Sequence, residues 1–276
     1  MPELPEVESV RRSLLRLGLA GRTITRADIG WANTVKLPSA EELAASVAGR
    51  TVEDVGRRAK YLLFPLAGPS TGSGQAAAIL VAHLGMTGNL VVQPGEQPPH
   101  PMTRHVFALD DGRELRFVDG RKFGKLWLGE DAGAILPTLG PEPLGDDFTT
   151  EWLADSFSGR SAPVKALLLE QSIAAGVGNI YADEALFLSG IRPDRPASDL
   201  SADEVARLRQ GIIDCINAGF AVYDRARDLR WPEPPEPMGT WSHPRDANTP
   251  CPNCGGGMAS TRIRNRGTWF CPACQV

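Results

Sequence analysis

The chain has 276 residues, and 42% of them are hydrophobic, which is enough to bury one or two sizeable cores. No apolar run approaches the length of a membrane-spanning helix, so we expect no membrane partner. The formal charge of −4 does not by itself indicate a nucleic-acid partner, and the distribution of the charges therefore matters more than their sum. We find no secretory signal sequence and expect a cytoplasmic protein in a reducing compartment.

The N-terminal part, residues 1–138, is predicted to be rich in strands. A first helix runs from Pro5 to about Leu17, and a capping box formed by Ser39 and Glu42 begins a second helix. Asp111-Gly112 indicates a hairpin, and residues 68–74 indicate a flexible turn or short insertion. Strand-like runs occupy residues 23–29, 61–65, 77–83, 89–93, 106–110, 114–118 and 125–128. We expect a β-sandwich or flattened barrel flanked by helices.

The C-terminal part is predicted to be helical, which gives an α+β chain of two domains. Residues 139–149, rich in glycine, proline and acids, are typical of a hinge. Residues 150–250 form a helical domain that ends in a proline-rich loop over 227–250. Its helices are predicted over residues 150–157, 163–171 and 180–188, with a longer one from Ser201 and Glu204 to about Tyr223.

A glycine-bearing turn joins two of these helices. Gly176 and Gly178 leave backbone N–H groups accessible at the start of the next helix, and the Asn179 side chain can donate a further hydrogen bond. Such a helix N-terminus suits an anion, for example a phosphate. The alternative is an ordinary turn between helices, which any helical segment can contain.

Four cysteines near the C-terminus have the spacing of a zinc site. Cys251-Pro-Asn-Cys254 and Cys271-Pro-Ala-Cys274 are separated by 16 residues, which favours one structural Zn²⁺ held by four thiolates in a finger over 251–276. Disulfides are the weaker alternative in a reducing compartment. The fifth cysteine lies in a helical run and is typical of a small buried side chain. The segment between the pairs carries three arginines and no acid, which favours phosphate contact: Arg262, Arg264 and Arg266.

The first residues combine a proline with a carboxylate. If Met1 is removed, Pro2 becomes a secondary amine whose pKa lies near ~8, so part of it is an uncharged nucleophile at neutral pH. Its attack on a sugar carbon would give an iminium, with Glu3 as the adjacent acid. The alternative is that Pro2 and Pro5 only fix the backbone before the first helix.

Three motifs in one order carry a family resemblance. They are the leader Pro-Glu-Leu-Pro-Glu over residues 2–6, the run Gln-Ser-Ile-Ala-Ala-Gly-Val-Gly-Asn-Ile-Tyr-Ala-Asp-Glu-Ala-Leu-Phe over 171–187, and Arg-Gly-Thr-Trp-Phe-Cys-Pro-Ala-Cys-Gln over 266–275. The chain resembles the formamidopyrimidine-DNA glycosylase / endonuclease VIII family over nearly its whole length. Leu4 favours the first branch, because the endonuclease VIII branch usually has glycine there.

The resemblance implies a bifunctional DNA repair enzyme that excises an oxidised base and then cuts the strand by β,δ-elimination. It assigns Pro2 as the nucleophile that attacks C1′ and Glu3 as the residue that handles protons. Glu6 matches a carboxylate that supports the site, and Lys60 matches a lysine that binds phosphate beside the lesion. Asn179 and Arg266 match phosphate contacts of a helix–two-turn–helix and of the zinc finger.

The resemblance also implies side chains that contact the rest of the damaged duplex. Met86, Arg121 and Phe123 lie on predicted turns and match the set that fills the space left by the extruded nucleotide. Taken without the resemblance, Met86 and Phe123 are more typical of core packing. Lys165 matches a helix lysine near the lesion pocket. The implied partner is double-stranded DNA with oxidised bases or abasic sites, bound by a monomer in the bacterial cytoplasm, with the nucleoid.

The sequence departs from the family pattern over residues 218–250, which would include a loop covering the extruded base. Three interpretations therefore remain. The first is a glycosylase/lyase for oxidised purines, especially formamidopyrimidines, and 8-oxoguanine. The second is the same chemistry acting mainly on oxidised pyrimidines. The third is a catalytically silent DNA-binding protein on the same scaffold, against which the intact Pro2, Glu3 and Glu6 argue.

Overall fold

The structure is a computed structural model of the 276-residue chain, and it describes residues 2–68, 78–225 and 245–276. The described residues divide into two compact units, one ending at Pro137 and the other beginning at Thr138. Most of the predicted insertion at 68–74, and residues 226–244 of the region predicted to cover the lesion, lie outside the described residues. Within the described ranges, no helix is both long and apolar enough to cross a bilayer.

The first unit is the predicted β-sandwich. One antiparallel sheet has the order β1 (Ile24–Ile29), β8 (Thr103–Leu109), β9 (Arg113–Val118) and β7 (Asn89–Pro94). The other has the order β2 (Val35–Leu37), β10 (Lys125–Gly129), β6 (Ala78–His83), β5 (Tyr61–Ala67) and β3 (Thr51–Val52), with β4 (Gly56–Arg58) also paired to β5. Only the β2–β10 pair is parallel among the strand pairs of the described residues.

Alternation of side chains builds the core between the sheets. In β5, Leu62, Phe64 and Leu66 are buried while the residues between them are half-buried, as the two-residue period of a strand requires. They share one hydrophobic cluster with Phe107 and Phe117 of the other sheet. Burial of these side chains, at about 25 cal/mol per Å² of apolar surface, stabilises the sandwich.

Among the described residues of the first unit, the sheets are flanked by α1 (Leu4–Arg16), α2 (Ala40–Val47) and α3 (Ala132–Ile135). The predicted capping box of α2 is present, since Glu42 N donates to Ser39 Oγ at 3.1 Å and Ser39 N to Glu42 Oε2 at 3.0 Å. The α1 helix stops before Gly18, whose φ of 67° lies in the left-handed region. The first helix therefore begins and ends within one residue of its predicted bounds, and the second begins at its predicted capping box.

The second unit is helical and ends in a β-hairpin. Its helices are α4 (Thr150–Phe157), α5 (Val164–Leu168), α6 (Asn179–Ser189) and α7 (Ala202–Arg225), and its strands are β11 (Ala259–Ile263) and β12 (Arg266–Phe270). The helix predicted over 163–171 ends earlier, at Leu168. The reason is Gln171, whose amide donates to Val177 O at 2.9 Å and accepts from Gly176 N at 3.0 Å, so that it shapes the following turn.

Residues 139–149, predicted as a hinge, pack within the second unit. Gly140 N donates to Gln171 O at 2.9 Å, and Ala175 N donates to Pro141 O at 3.0 Å. Phe148 is fully buried and its carbonyl accepts a hydrogen bond from the Arg209 guanidinium. A hinge role for this segment stays a prediction.

Candidate functional site

The N-terminus of α1 brings the predicted proline and two carboxylates together. Pro2 is buried, and Glu3, the N-cap residue, is only 2% exposed. Glu3 and Glu6 form a capping box in which Glu3 N donates to Glu6 Oε2 at 2.8 Å. A helix N-terminus stabilises negative charge, so both carboxylates are held beside Pro2 by the start of the helix itself.

One turn further along α1, Glu8 forms an ion cluster that the sequence did not predict. Its carboxylate accepts from Arg11 at 2.7 Å, from Arg12 at 2.9 Å and from Arg57 Nε at 3.0 Å. Burial acts to raise the pKa of Glu8, but these three hydrogen bonds outweigh it and hold the pKa at about 2. The available signal was the spacing of Glu8 from Arg11 and Arg12, which places them on one helix face.

The same cluster reaches the turn that carries Lys60. Arg57 Nη1 donates to Ala59 O at 3.0 Å, and Ala59 has a φ of 51°, in the left-handed region. Lys60 follows directly and is 7% exposed. Burial, and then the charges of Lys60 and Lys125, lower the pKa of the nearby His83 to about 4. Lys60 therefore lies on a turn tied to α1, the helix that begins at the candidate nucleophile.

The three side chains predicted to fill the duplex lie on two turns of the first unit. Met86 is half-buried in the turn after β6, and Phe123, in the turn between β9 and β10, is 49% exposed. Arg121 is exposed, and its guanidinium carbon lies 5.0 Å from the centre of the Phe123 ring. The large apolar surface of Phe123 is therefore accessible and is not part of the core.

Asn179 is the first residue of α6 in the second unit. It follows the predicted glycine turn, in which Gly176 has a φ of 91° that other residues rarely adopt. The Asn179 amide donates one hydrogen bond to Gly267 O at 3.1 Å, in the β-hairpin. The helix start and the hairpin are thus joined through this side chain.

The hairpin presents the predicted arginines. Arg262, Arg264 and Arg266 are all exposed, and Arg264 is paired with Glu170. The turn between the strands is unusual, because Arg264 and Asn265 have φ values of 47° and 60°. Glu170 also holds Arg160 through two hydrogen bonds of 3.0 Å. Arg266, at the start of β12, forms no ion pair with any described residue.

Lys165, which the resemblance implies to lie near the lesion pocket, is fully buried. Its ammonium lies 2.6 Å from Asp183 Oδ1 and donates to Thr268 Oγ1 at 2.7 Å and to Gly267 O at 3.2 Å. Asp183 is itself buried and also pairs with Arg245 at 3.0 Å. These contacts join α5 and α6 to the hairpin, and a role for Lys165 in DNA binding stays a prediction.

The four cysteines lie together as the spacing predicts. Their Sγ atoms are all within 4.8 Å of one another, with Cys251–Cys274 at 3.8 Å and Cys254–Cys271 at 3.6 Å. Four thiolates around a tetrahedral zinc with Zn–S bonds of about 2.3 Å would be about 3.8 Å apart. None of the four is in a disulfide. The cluster therefore fits a metal ion of this kind, and Cys215 is buried away from it in α7.

Family models match both units of the chain. The formamidopyrimidine-DNA glycosylase N-terminal domain matches residues 1–126, and the formamidopyrimidine-DNA glycosylase H2TH domain matches residues 139–227. The second match contains the turn and the α6 start described above. The two matches together cover most of the chain.

Curated relatives and solved structures agree with the family models. The formamidopyrimidine-DNA glycosylase of Roseiflexus is 42% identical over the full length of both chains, and that of Bacillus subtilis is 36% identical over 100% of this chain and 99% of its own. The Thermus thermophilus protein has a TM-score of 0.82 at 36% identity, covering 99% of this chain and 98% of its own. A Lactococcus lactis formamidopyrimidine-DNA glycosylase bound to DNA containing an AP site has a TM-score of 0.85 at 28% identity, covering 99% of both chains. This chain belongs to the formamidopyrimidine-DNA glycosylase family.

Proposed function

We propose that this protein is a bifunctional DNA glycosylase/AP lyase of base excision repair, which excises oxidised purines from double-stranded DNA. The observation that carries the proposal is the start of α1, where the buried Pro2 is followed directly by the buried Glu3, whose backbone N–H is held by Glu6. Support comes from the Lactococcus lactis relatives, whose structures hold DNA with an AP site or a formamidopyrimidine-guanine nucleotide.

The first step is displacement of the base. The Pro2 nitrogen is an amide while Met1 is attached, and it becomes a secondary amine when Met1 is removed. The amine attacks C1′ of the damaged nucleotide as the C1′–N bond to the base breaks, and Glu3 moves the protons that base departure and Schiff-base formation require. The attack leaves C1′ bonded to the Pro2 nitrogen, which loses its N–H proton, and still bonded to the ring oxygen O4′. The C1′–O4′ bond then breaks as Glu3 delivers a proton to O4′, and the opened sugar carries an iminium between Pro2 and C1′. Glu6 holds the Glu3 backbone through the 2.8 Å hydrogen bond and so supports the geometry of the attack.

The second step is strand cleavage. The iminium withdraws electrons and acidifies the hydrogen at C2′, and loss of that proton expels the 3′ phosphate by β-elimination. A second elimination releases the 5′ phosphate, which leaves a one-nucleoside gap with phosphate on both ends. Lys60, Asn179 and Arg266 bind backbone phosphates and hold the strand during both steps.

Reaction at C1′ requires the nucleotide to leave the duplex, at a cost of about a few kcal/mol. Met86, Arg121 and Phe123 fill the space that remains, with Arg121 paired to the orphaned base and Phe123 wedged beside it. This insertion suits an exposed ring and an arginine stacked on it. The protein acts as a monomer in this scheme.

Zinc is the metal that the four thiolates favour. Cys251, Cys254, Cys271 and Cys274 would hold one Zn²⁺, and four thiolates leave no coordination position for a water. The ion would therefore stabilise the finger that carries Arg266 and would take no part in base excision.

The proposal is tested by borohydride reduction in the presence of DNA with an abasic site. We expect a covalent adduct that maps to the N-terminal peptide at Pro2. The matched control is the same chain with an added N-terminal extension, which should bind DNA and give no adduct. An adduct on an internal lysine, or none with the trimmed protein, would contradict the proposal. The latter result, with DNA binding intact, would identify a silent DNA-binding protein.

Oxidised pyrimidines are a second candidate substrate class. One observation favours them: a Lactococcus lactis relative with a TM-score of 0.87 has been crystallised with DNA containing an oxidised pyrimidine. Rates of incision on duplexes with 8-oxoguanine, formamidopyrimidine and thymine glycol would decide between the classes. Faster release of thymine glycol than of both purines would favour this second candidate.

A further inference from the structure

Two turns of the first unit cross between its sheets side by side. Residues 84–88 lead from β6 to β7, and residues 119–124 lead from β9 to β10. The β6 and β10 strands are neighbours in one sheet, with His83 opposite Lys125. The β7 and β9 strands are neighbours in the other sheet, with Asn89 opposite Val118. The first crossing turn carries Met86, and the second carries Arg121 and Phe123.

A single buried carboxylate bonds to both crossing turns. Asp119 is fully buried, and its Oδ1 accepts from Thr87 Oγ1 at 2.6 Å and from Arg121 N at 3.1 Å. Its Oδ2 accepts from Gly124 N at 2.7 Å, at the other end of its own turn. These contacts hold the backbone of the second turn at Arg121 and Gly124 and tie it to the first turn through the Thr87 side chain.

The two turns pack closely against each other. A Cβ at Gly85 would lie 2.5 Å from the carbonyl carbon of Phe123, so the backbones of the two turns are in direct contact. Gly85 has a φ of 65°, which also favours glycine. On the outer side, the Lys122 ammonium lies 3.6 Å from the centre of the Trp31 ring. The two turns are therefore built as one block.

Asp119 also joins this block to the four-stranded sheet. Its carbonyl accepts from Arg104 Nε at 2.7 Å, and its N–H donates to Met102 O at 2.9 Å. The Asp119 carboxylate holds the two turns to each other, and its backbone holds them to the start of β8. These hydrogen bonds account for the burial of Asp119 without any contact with DNA.

We propose that Asp119 is a positioning residue that holds Met86, Arg121 and Phe123 as one preorganised unit for entry into the duplex. The proposal rests on the function proposed above and extends it to a residue that itself touches no DNA. Preorganised side chains lose less freedom on binding, so the block lowers the cost of replacing the extruded nucleotide. Loss of the Asp119 contacts should therefore slow the reaction on double-stranded DNA and leave the reaction on single-stranded DNA unchanged.

The test compares Asp119→Asn with Asp131→Asn, which makes the same change at an exposed carboxylate. In Asp119→Asn one oxygen becomes an NH₂ group facing the Gly124 N–H, so a hydrogen bond is lost and two donors meet. We expect excision from duplex DNA to fall about ten- to a hundredfold relative to Asp131→Asn. Borohydride trapping on single-stranded abasic DNA should stay within about twofold of Asp131→Asn, since no paired base must be replaced.

A second variant and a second measurement guard against a change in folding. Thr87→Val replaces with a methyl group the hydroxyl that donates to Asp119 and accepts from Arg121 N at 3.2 Å, and it should lower duplex excision about three- to tenfold. Both variants should also change the ratio of rates opposite cytosine and adenine, because Arg121 faces that base. Equal losses on single-stranded and duplex DNA, or unchanged duplex excision, would overturn the positioning role. Absence of trapping by the unaltered protein would instead count against the proposed function itself.

Discussion

The Glu8 cluster makes the first unit sensitive to one carboxylate. Glu8 receives hydrogen bonds from Arg11, Arg12 and Arg57, and its side chain is only 9% exposed. Glu8→Gln keeps the shape and one acceptor oxygen but removes the charge. The three guanidinium groups then remain close together without their common counter-ion, so we expect the first unit to lose stability.

The magnitude follows from the pKa. Folding holds the pKa of Glu8 at about 2 in place of the usual 4.5, and each pKa unit is worth about 1.36 kcal/mol. The ionised carboxylate therefore contributes at most ~3.4 kcal/mol at pH 7. Because the pKa is lowered by folding, this contribution is complete above pH 4.5 and is lost as the pH falls towards 2. At pH 3 about 1.4 kcal/mol should remain.

The measurement is urea unfolding at pH 7 and pH 3, followed by hydrogen exchange of peptides from residues 4–16, which report on the first unit alone. The matched control is Glu53→Gln, an exposed glutamate whose substitution should cost no more than about 0.5 kcal/mol. Two results would refute the reasoning. One is a Glu8→Gln variant as stable as Glu53→Gln at pH 7, and the other is a deficit that does not shrink between pH 7 and pH 3.

Lys165→Met should destabilise the second unit by ~3 kcal/mol, because Asp183 stays buried without its closest partner. Calorimetry should show that adding Asp183→Leu restores most of the loss; no recovery would argue against the pair. The ring of His83 should stay neutral from pH 8 to pH 5, since burial lowers its pKa to about 4, and NMR titration against a histidine peptide should show this. Its depressed pKa means that acidification from pH 6.5 to 4 favours the unfolded chain, which takes up the proton first. Cys254→Ser should reduce bound zinc, measured by mass spectrometry of the metal, while Cys215→Ser should not. Arg266→Ala should weaken binding to all lesions alike and lower the salt dependence by about one phosphate contact; a defect for one lesion only would contradict this.

Elements with strong local signals could be predicted from the sequence. Ser39 with Glu42 formed the predicted capping box, and in the second unit Ser201 N donates to Glu204 Oε2 at 2.8 Å in the same way. The alternation of buried residues in β5 also agrees with its prediction. In the site, the spacing of the four cysteines was sufficient to predict that their Sγ atoms lie together, because a metal cluster built from two short loops depends mainly on local sequence.

Short strands could not be predicted, since partner strands create them. The β3 strand has two residues and exists because Thr51 and Val52 pair with Ala67 and Leu66. The β2 and β4 strands have three residues each, too few for a period of two to be recognised. The partner of β2 lies far along the chain, in β10, whereas β4 pairs with β5 directly after it and is simply too short for its own sequence to mark it as a strand.

Buried charged residues were missed for a related reason. Lys165 and its acceptor Thr268 are 103 residues apart in the chain, so the residues that bury Lys165 are not indicated by its neighbours in sequence. A lysine between valine and alanine in an apolar run was the only hint. Asp119 was overlooked because the neighbouring Arg121 and Phe123 matched a family motif, whereas its own role depends on contact with Thr87.

The left-handed backbone at the tip of the β11–β12 hairpin makes Arg264 a candidate for a stabilising substitution. Left-handed backbone at Arg264 costs about 1–2 kcal/mol more than it would at glycine. An Arg264→Gly exchange would relieve that strain, yet it would also release the tether to Glu170. A substitution made to raise thermal stability at this position would therefore reduce backbone strain, but it would also give the neighbouring Arg266 more conformational freedom.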